Sequence, residues 1–113
     1  MVEVIATDEF VDWYDNLQDS HLRNVTRTVD MLEMSGVTLG FPQSSKIKGS
    51  RYPLRELRIK SGGHQLRVFY AFDPKRRAVL LLGGDKTGDD RFYQRFIPTA
   101  ERLWEEYLDE TGE

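Results

Sequence analysis

The spacing of apolar residues changes along this chain, and each change marks an element. Val2-Glu3-Val4-Ile5-Ala6 alternates enough to predict a short strand. Thr7 or Asp8 can cap the helix that follows, accepting orphan amide hydrogens of its first turn. Phe10, Trp13, Tyr14 and Leu17 then recur at helical spacing. A second helix is predicted from Asp19 or Ser20, with Leu22, Val25, Val29 and Leu32 as its apolar stripe. Gly36 suits the left-handed position after its end. Residues 37–53, punctuated by Gly40, Pro42, Gly49 and Pro53, read as a long irregular loop. Loops of that length are uncommon in compact domains and are often functional.

Three strands are predicted next, at about 54–60, 65–72 and 77–83. Gly62-Gly63 is a two-residue hairpin signal, and Asp73-Pro74-Lys75-Arg76 is a turn. Ala78-Val79-Leu80-Leu81-Leu82 is apolar at every position, as a strand covered on both faces would be. From Asp89 onward the period is helical, with Phe92, Phe96, Ala100, Leu103 and Tyr107 on one stripe. Pro98 predicts a kink or a fresh start there. Trp13, Trp104 and Tyr107 read as core or interface aromatics. The fold class is therefore α+β: a small, mostly antiparallel twisted sheet in the order β-α-α-β-β-β-α. Residues 1–113 form one domain, without repeat or linker.

The hairpin also fixes a register. With Gly62-Gly63 as the turn, Ser61 pairs with His64, Ile59 with Leu66, Arg58 with Arg67, and Glu56 with Phe69. Leu57, Ile59, Leu66 and Val68 then share one face; a one-residue slip would scatter them. The other face presents Arg58 beside Arg67, flanked by Lys60. Like charges directly opposed across strands destabilise a sheet. A phosphate between them removes that penalty, because guanidinium groups grip its oxygens in a planar, two-pronged way. The competing reading is that Glu56 and helix acids pair with these arginines. If the arginines serve an external anion, replacing Arg67 with Ala should leave thermal stability nearly unchanged.

Charge segregation agrees with an anionic partner. The net charge of −3 conceals a basic middle: residues 46–77 hold ten bases against Glu56 and Asp73, a net of +8. Residues 1–35 sum to −6 and residues 78–113 to −5. Local field, not the total, decides where an anion binds. The sequence has no cysteine, which excludes disulfides and thiolate metal sites and fits a reducing cytoplasm. No apolar run approaches the roughly 20 residues of a membrane span. The start, Met1-Val2-Glu3, does not read as a secretion signal.

Lys46-Ile47-Lys48-Gly49, Leu54-Arg-Glu-Leu-Arg-Ile59, Leu66-Arg-Val-Phe-Tyr-Ala-Phe-Asp73 and Ala78-Val-Leu-Leu-Leu-Gly-Gly-Asp-Lys86 together resemble the RelE/HigB-like toxins of type II toxin–antitoxin systems, the HigB-like branch in particular. Asp89 to Leu108 matches that family's closing helix, whereas the N-terminal half fits only by element order. The resemblance implies a metal-independent, ribosome-dependent mRNA endonuclease that uses no cofactor and arrests translation. The substrate's own 2′-hydroxyl attacks the adjacent phosphate. It also implies a cytoplasmic location, the ribosome and mRNA as partners, and a cognate antitoxin of helix-turn-helix type in a hetero-oligomer. Two alternatives stay open: a non-catalytic gyrase inhibitor like the ParE branch, and a degenerate toxin that only binds its antitoxin.

Such cleavage needs cations on the phosphate, an acceptor for the hydroxyl proton and a donor for the leaving oxygen. By the resemblance, Arg67 is the phosphate-binding strand arginine. Arg58 and Lys60 are basic positions of the preceding strand, Lys86 follows the last strand, and Tyr93 opens the final helix. Arg58, Arg67, Lys86 and Tyr93 are the catalytic candidates. Lys46, Lys48, Arg51, Lys60 and Arg91 are the RNA-binding candidates. Many members have a second arginine after the lysine; here that position is Thr87, with Arg91 as a substitute. Neighbouring cations should lower the pKa values of Lys86 and Tyr93. His21 and His64 lack a second ligand at metal spacing, and His64 reads as an exposed turn residue. Gly83-Gly84-Asp85-Lys86-Thr87 fails the Walker pattern, since Asp85 occupies the required glycine position.

Overall fold

The computed structural model describes residues 1–112. Strand β1 (Val4–Ala6) leads into α1 (Asp8–Asp15), which Thr7 caps by accepting the Phe10 amide at 3.1 Å. Helix α2 (Asp19–Ser35) ends at Gly36, whose φ of +57° suits glycine. Strands β3 (Arg55–Ser61), β4 (His64–Phe72) and β5 (Ala78–Asp85) follow the short strand β2 (Ser44–Lys46), and α3 spans Phe92–Thr111. The sheet runs β1-β5-β4-β3-β2, parallel between β1 and β5 and antiparallel elsewhere.

The register expected for the hairpin is the one found, from Ser61 opposite His64 to Glu56 opposite Phe69. Leu57, Ile59, Leu66 and Val68 pack beneath α1 and α2 with Phe10, Val25 and Leu32. On the opposite face, Phe69, Ala71, Val79 and Leu81 are buried under Phe92, Ala100, Leu103 and Trp104, the last four being residues of α3. Strand β5 is thus covered on both sides, as its uninterrupted apolar run demands. Each fully buried side chain of this size contributes about 1.5–3 kcal/mol.

Two expectations need correction. The segment 37–53 is not wholly irregular: a 3-10 turn (Gly36–Thr38) and β2 lie in or across it, and β2 pairs with β3 from Ser44–Leu57 to Lys46–Arg55. Three residues are too few for alternation to be visible, so pairing with the β3 edge alone defines this strand. Helix α3 begins at Phe92 rather than Asp89 and runs through Pro98 without interruption. Asp89 instead accepts the Arg91 amide on its side chain, at 3.0 Å, and the Phe92 amide on its carbonyl. Burial of the α3 stripe against the sheet outweighs the one helical hydrogen bond that Pro98 removes.

Gly83 and Gly84 have a packing reason. A Cβ on Gly83 would stand 2.1 Å from the Trp13 ring on one side of the sheet, and one on Gly84 would stand 2.3 Å from Phe96 on the other. Aromatic rings from α1 and α3 thus clamp the strand just before Lys86. Gly83→Ala and Gly84→Ala should each destabilise the fold by about 1–3 kcal/mol through overpacking, measurable by denaturant unfolding.

The turn after β4 is tied to α3. The Asp73 carboxylate accepts the Lys75 and Arg77 amides at 2.9 Å, the Arg77 Nε at 2.6 Å and the Tyr107 hydroxyl at 2.7 Å. Burial pushes the Asp73 carboxyl up, but donation from Tyr107 and Arg77 outweighs it and holds the group below its usual value. A depressed folded-state pKa stabilises the fold above the unfolded value and is lost as pH falls through the folded one. Asp73→Asn should therefore lower stability by about 2–3 kcal/mol at neutral pH and flatten the acid limb of a pH–stability profile, seen by thermal melting.

Candidate active site

Helix α3 covers the β4–β5 side of its sheet face. The outer part of that face, on β3, carries Glu56, Arg58 and Lys60. Strand alternation sends these three side chains to the side opposite Leu57 and Ile59. Arg58 and Arg67 are direct cross-strand partners. The anion between them is the chain's own. Glu56, buried at 5% exposure, lies 3.6 Å from Arg58 through Oε2 and 3.5 Å from Arg67 through Oε1. The Tyr93 hydroxyl donates to Oε1 at 2.6 Å, and the Ser45 hydroxyl donates to Oε2 at 3.1 Å.

The two arginines differ in access. Arg67 is 3% exposed; its Nη1 donates to the Leu66 carbonyl at 3.0 Å and its Nη2 reaches Gln65 at 3.5 Å. Its buried Nε has the 3.5 Å approach to Glu56 but no hydrogen bond of good geometry. Arg58 is about one-third exposed. A cavity of about 430 Å³ opens over Glu56, Arg58 and Tyr93 and is walled by Ser45, Lys46 and Lys48. Strand β2, unseen in the sequence, is what brings Lys46 and Ser45 to it.

Tyr93 behaves contrary to expectation. Burial and the hydrogen bond to Glu56 push its hydroxyl pKa up, and the cationic Arg67 only partly counters them. The phenol is therefore held as a proton donor. Lys86 places its ammonium 5.5 Å from the centre of the Tyr93 ring. The turn that presents Lys86 is tightly bonded. Asp85 accepts from the Thr87 amide at 2.9 Å and pairs with His64 Nδ1 at 2.6 Å. The Thr87 hydroxyl accepts the Gln65 amide at 2.7 Å, and the Lys86 amide donates to the Gln65 carbonyl. Burial raises the Asp85 carboxyl, but Thr87 and His64 outweigh it and hold the group below its usual value. Thr87 serves the turn's geometry, and His64 is exposed beside the hairpin turn, as expected, with its Nδ1 paired to Asp85.

The remaining candidates separate. Lys60 is exposed beside Arg58, and Arg91 is exposed at the start of α3. Arg51 is committed elsewhere, pairing with Glu101 at 3.6 Å and Glu105 at 3.2 Å of α3. Sequence reasoning treated Glu56 only as a neutralising partner, whereas it is the hub of the site. Its place two residues before Arg58, on the same strand face, was the available signal.

This architecture is RelE-like. A chain of the archaeal RelE–RelB complex from Pyrococcus horikoshii OT3 superposes with a TM-score of 0.56 at 22% identity, covering 77% of this chain and 97% of that one. The sequence profile of the phage-derived Gp49-like proteins (DUF891) matches residues 12–105. Two Mycobacterium tuberculosis (strain ATCC 25618 / H37Rv) relatives carry the names "Putative toxin HigB3" and "Putative toxin HigB2". The first is 40% identical over 107 residues, covering 93% of this chain and 92% of its own length. The second is 33% identical over 99 residues, covering 85% of this chain and 49% of its own length. The chain belongs to the Gp49-like family of RelE/HigB-type toxins.

Arg67 is buried against Glu56, which argues against the expectation that Arg67→Ala leaves thermal stability nearly unchanged. Arg67→Ala should destabilise the protein by about 3–5 kcal/mol, because Glu56 would stay buried without its closest cationic neighbour. The double variant Arg67→Met/Glu56→Leu should recover most of that loss in denaturant titrations; equal midpoints for the single variant and the parent would contradict the pairing.

Proposed function

We propose that this toxin is a ribosome-dependent mRNA endonuclease in which the chain's own side chains move the protons. The observation that supports this is the cavity in which Glu56, Tyr93 and Arg58 meet. The substrate 2′-hydroxyl loses its proton to the Glu56 carboxylate as its oxygen bonds to the adjacent phosphorus. The bond from phosphorus to the 5′-oxygen breaks, and Tyr93 delivers its proton to that leaving oxygen, giving a 2′,3′-cyclic phosphate and a free 5′-hydroxyl. Arg58 and Lys86 offset the negative charge that builds on the phosphoryl oxygens. Arg67 acts from behind, orienting Glu56 and Tyr93. Lys46, Lys48 and Lys60 attract the strand, and Arg91 extends the positive rim.

An acceptor with a positioned donor contributes typically 10²–10⁴-fold to such a reaction. The partner that restrains the site is a cognate antitoxin of helix-turn-helix type in a cytoplasmic hetero-oligomer. The basic middle of the chain favours an acidic segment of that partner.

Mapping mRNA 5′ ends after induced expression tests the reading. New ends within translated codons are expected, and DNA breaks with intact mRNA would reject it. In a purified ribosome assay, Tyr93→Phe and Glu56→Gln should each slow cleavage by about 10²-fold or more. Tyr93→Phe keeps the ring packing against Phe69 and Phe92 but removes one donor to the buried Glu56, so stability should fall by about 1–3 kcal/mol, with the protein still folded in the assay.

A further inference from the structure

A second, larger cavity of about 720 Å³ lies on the other side of Arg58, between α2, the loop before β2 and the outer end of the hairpin. Arg58 lines both cavities, so they adjoin along one side chain. Phe41 projects from that loop with 76% of its surface exposed, and the Arg58 guanidinium lies 5.3 Å from its ring centre. An isolated exposed phenylalanine is ordinary. One braced by an arginine at the rim of a cation-lined cavity is a stacking surface.

The lining has a consistent sign. It includes Arg27, Arg58, Lys60 and Arg67, and no aspartate or glutamate. Gln43 and Gln65 also face it, from the loop and from β4. Cations for a phosphate, an aromatic face for a planar ring and side-chain amides for its edge are the three contacts that single-stranded nucleotides require.

We propose that this cavity is a nucleotide subsite in which one RNA base stacks on Phe41 while its phosphate contacts Arg58 and Lys60, which Arg58 links to the cleavage site. The subsite rests on the endonuclease reading for its substrate. It adds to that reading a choice of base: the amides of Gln43 and Gln65 read the base edge, so this pocket contributes to the codon preference.

The test measures binding apart from cleavage, by fluorescence anisotropy with a labelled, fully 2′-O-methylated hexanucleotide of mixed sequence that cannot be cut. Phe41→Ala should weaken binding by about 5- to 100-fold, whereas Phe41→Trp should stay within a few-fold of the parent. An abasic residue walked along the probe should reproduce the Phe41→Ala loss at one position and cost nothing further there in the Phe41→Ala protein. Unchanged affinity in Phe41→Ala, or abasic losses that add fully to it at every position, would overturn the subsite. So would unchanged RNA binding together with weakened binding to an antitoxin, which would make the cavity a protein-docking surface. Glu56→Gln separates the two proposals: it should bind the probe at least as tightly as the parent while failing to cut an unmodified strand on the ribosome. Cutting at the parental rate would remove the catalytic reading and leave the subsite judged by binding alone.

Discussion

A carboxylate buried between two arginines organises one whole face of this molecule. Glu56 at 5% exposure would be costly to bury alone, since a charge removed from water must find compensation within the fold. Arg58, Arg67, Tyr93 and Ser45 supply that compensation from β3, β4, α3 and β2. The cluster therefore couples four elements at this end of the sheet. It also explains how two guanidinium groups tolerate direct cross-strand opposition. The same groups that settle the electrostatics of folding are the ones a phosphodiester cleavage needs.

The division of labour follows from access. Arg67 is buried beside Glu56, with Nη1 on the Leu66 carbonyl, so it fixes geometry; Arg58 is partly open and lies at the junction of two cavities. Tyr93 is held protonated by burial and by the carboxylate it donates to. Lys86 arrives on a turn whose hydrogen bonds run through Asp85, His64 and Thr87, behind a strand that Trp13 and Phe96 clamp at Gly83 and Gly84. Rigid support of this kind limits the motion of the groups at the cavity, as the proposed cleavage requires.

Much of the architecture was readable before any coordinates. The stripes of α1 and α2, the Gly62-Gly63 turn and the alternation across it gave the elements and their register, because a one-residue error would have put Leu57, Ile59, Leu66 and Val68 into water. The pairing of Arg58 with Arg67 came from the same logic. Strand β2 and the uninterrupted α3 did not, since the first is defined only by its neighbour and the second overrides a local breaker through burial. Arg51 looked like any other base of the positive middle. Only folding revealed that Glu101 and Glu105 of α3 stand beside it.

Periodicity, turn chemistry and charge segregation are properties of neighbours along the chain, so the sequence by itself determined the element types, the hairpin register and the basic sheet face. The tertiary structure decided which cations stay free, which acid they share and which way Tyr93 titrates. Those outcomes depend on distances between residues tens of positions apart, and on how much water each group keeps. Glu56 and Tyr93 are 37 positions apart and 2.6 Å distant; no local pattern encodes that meeting.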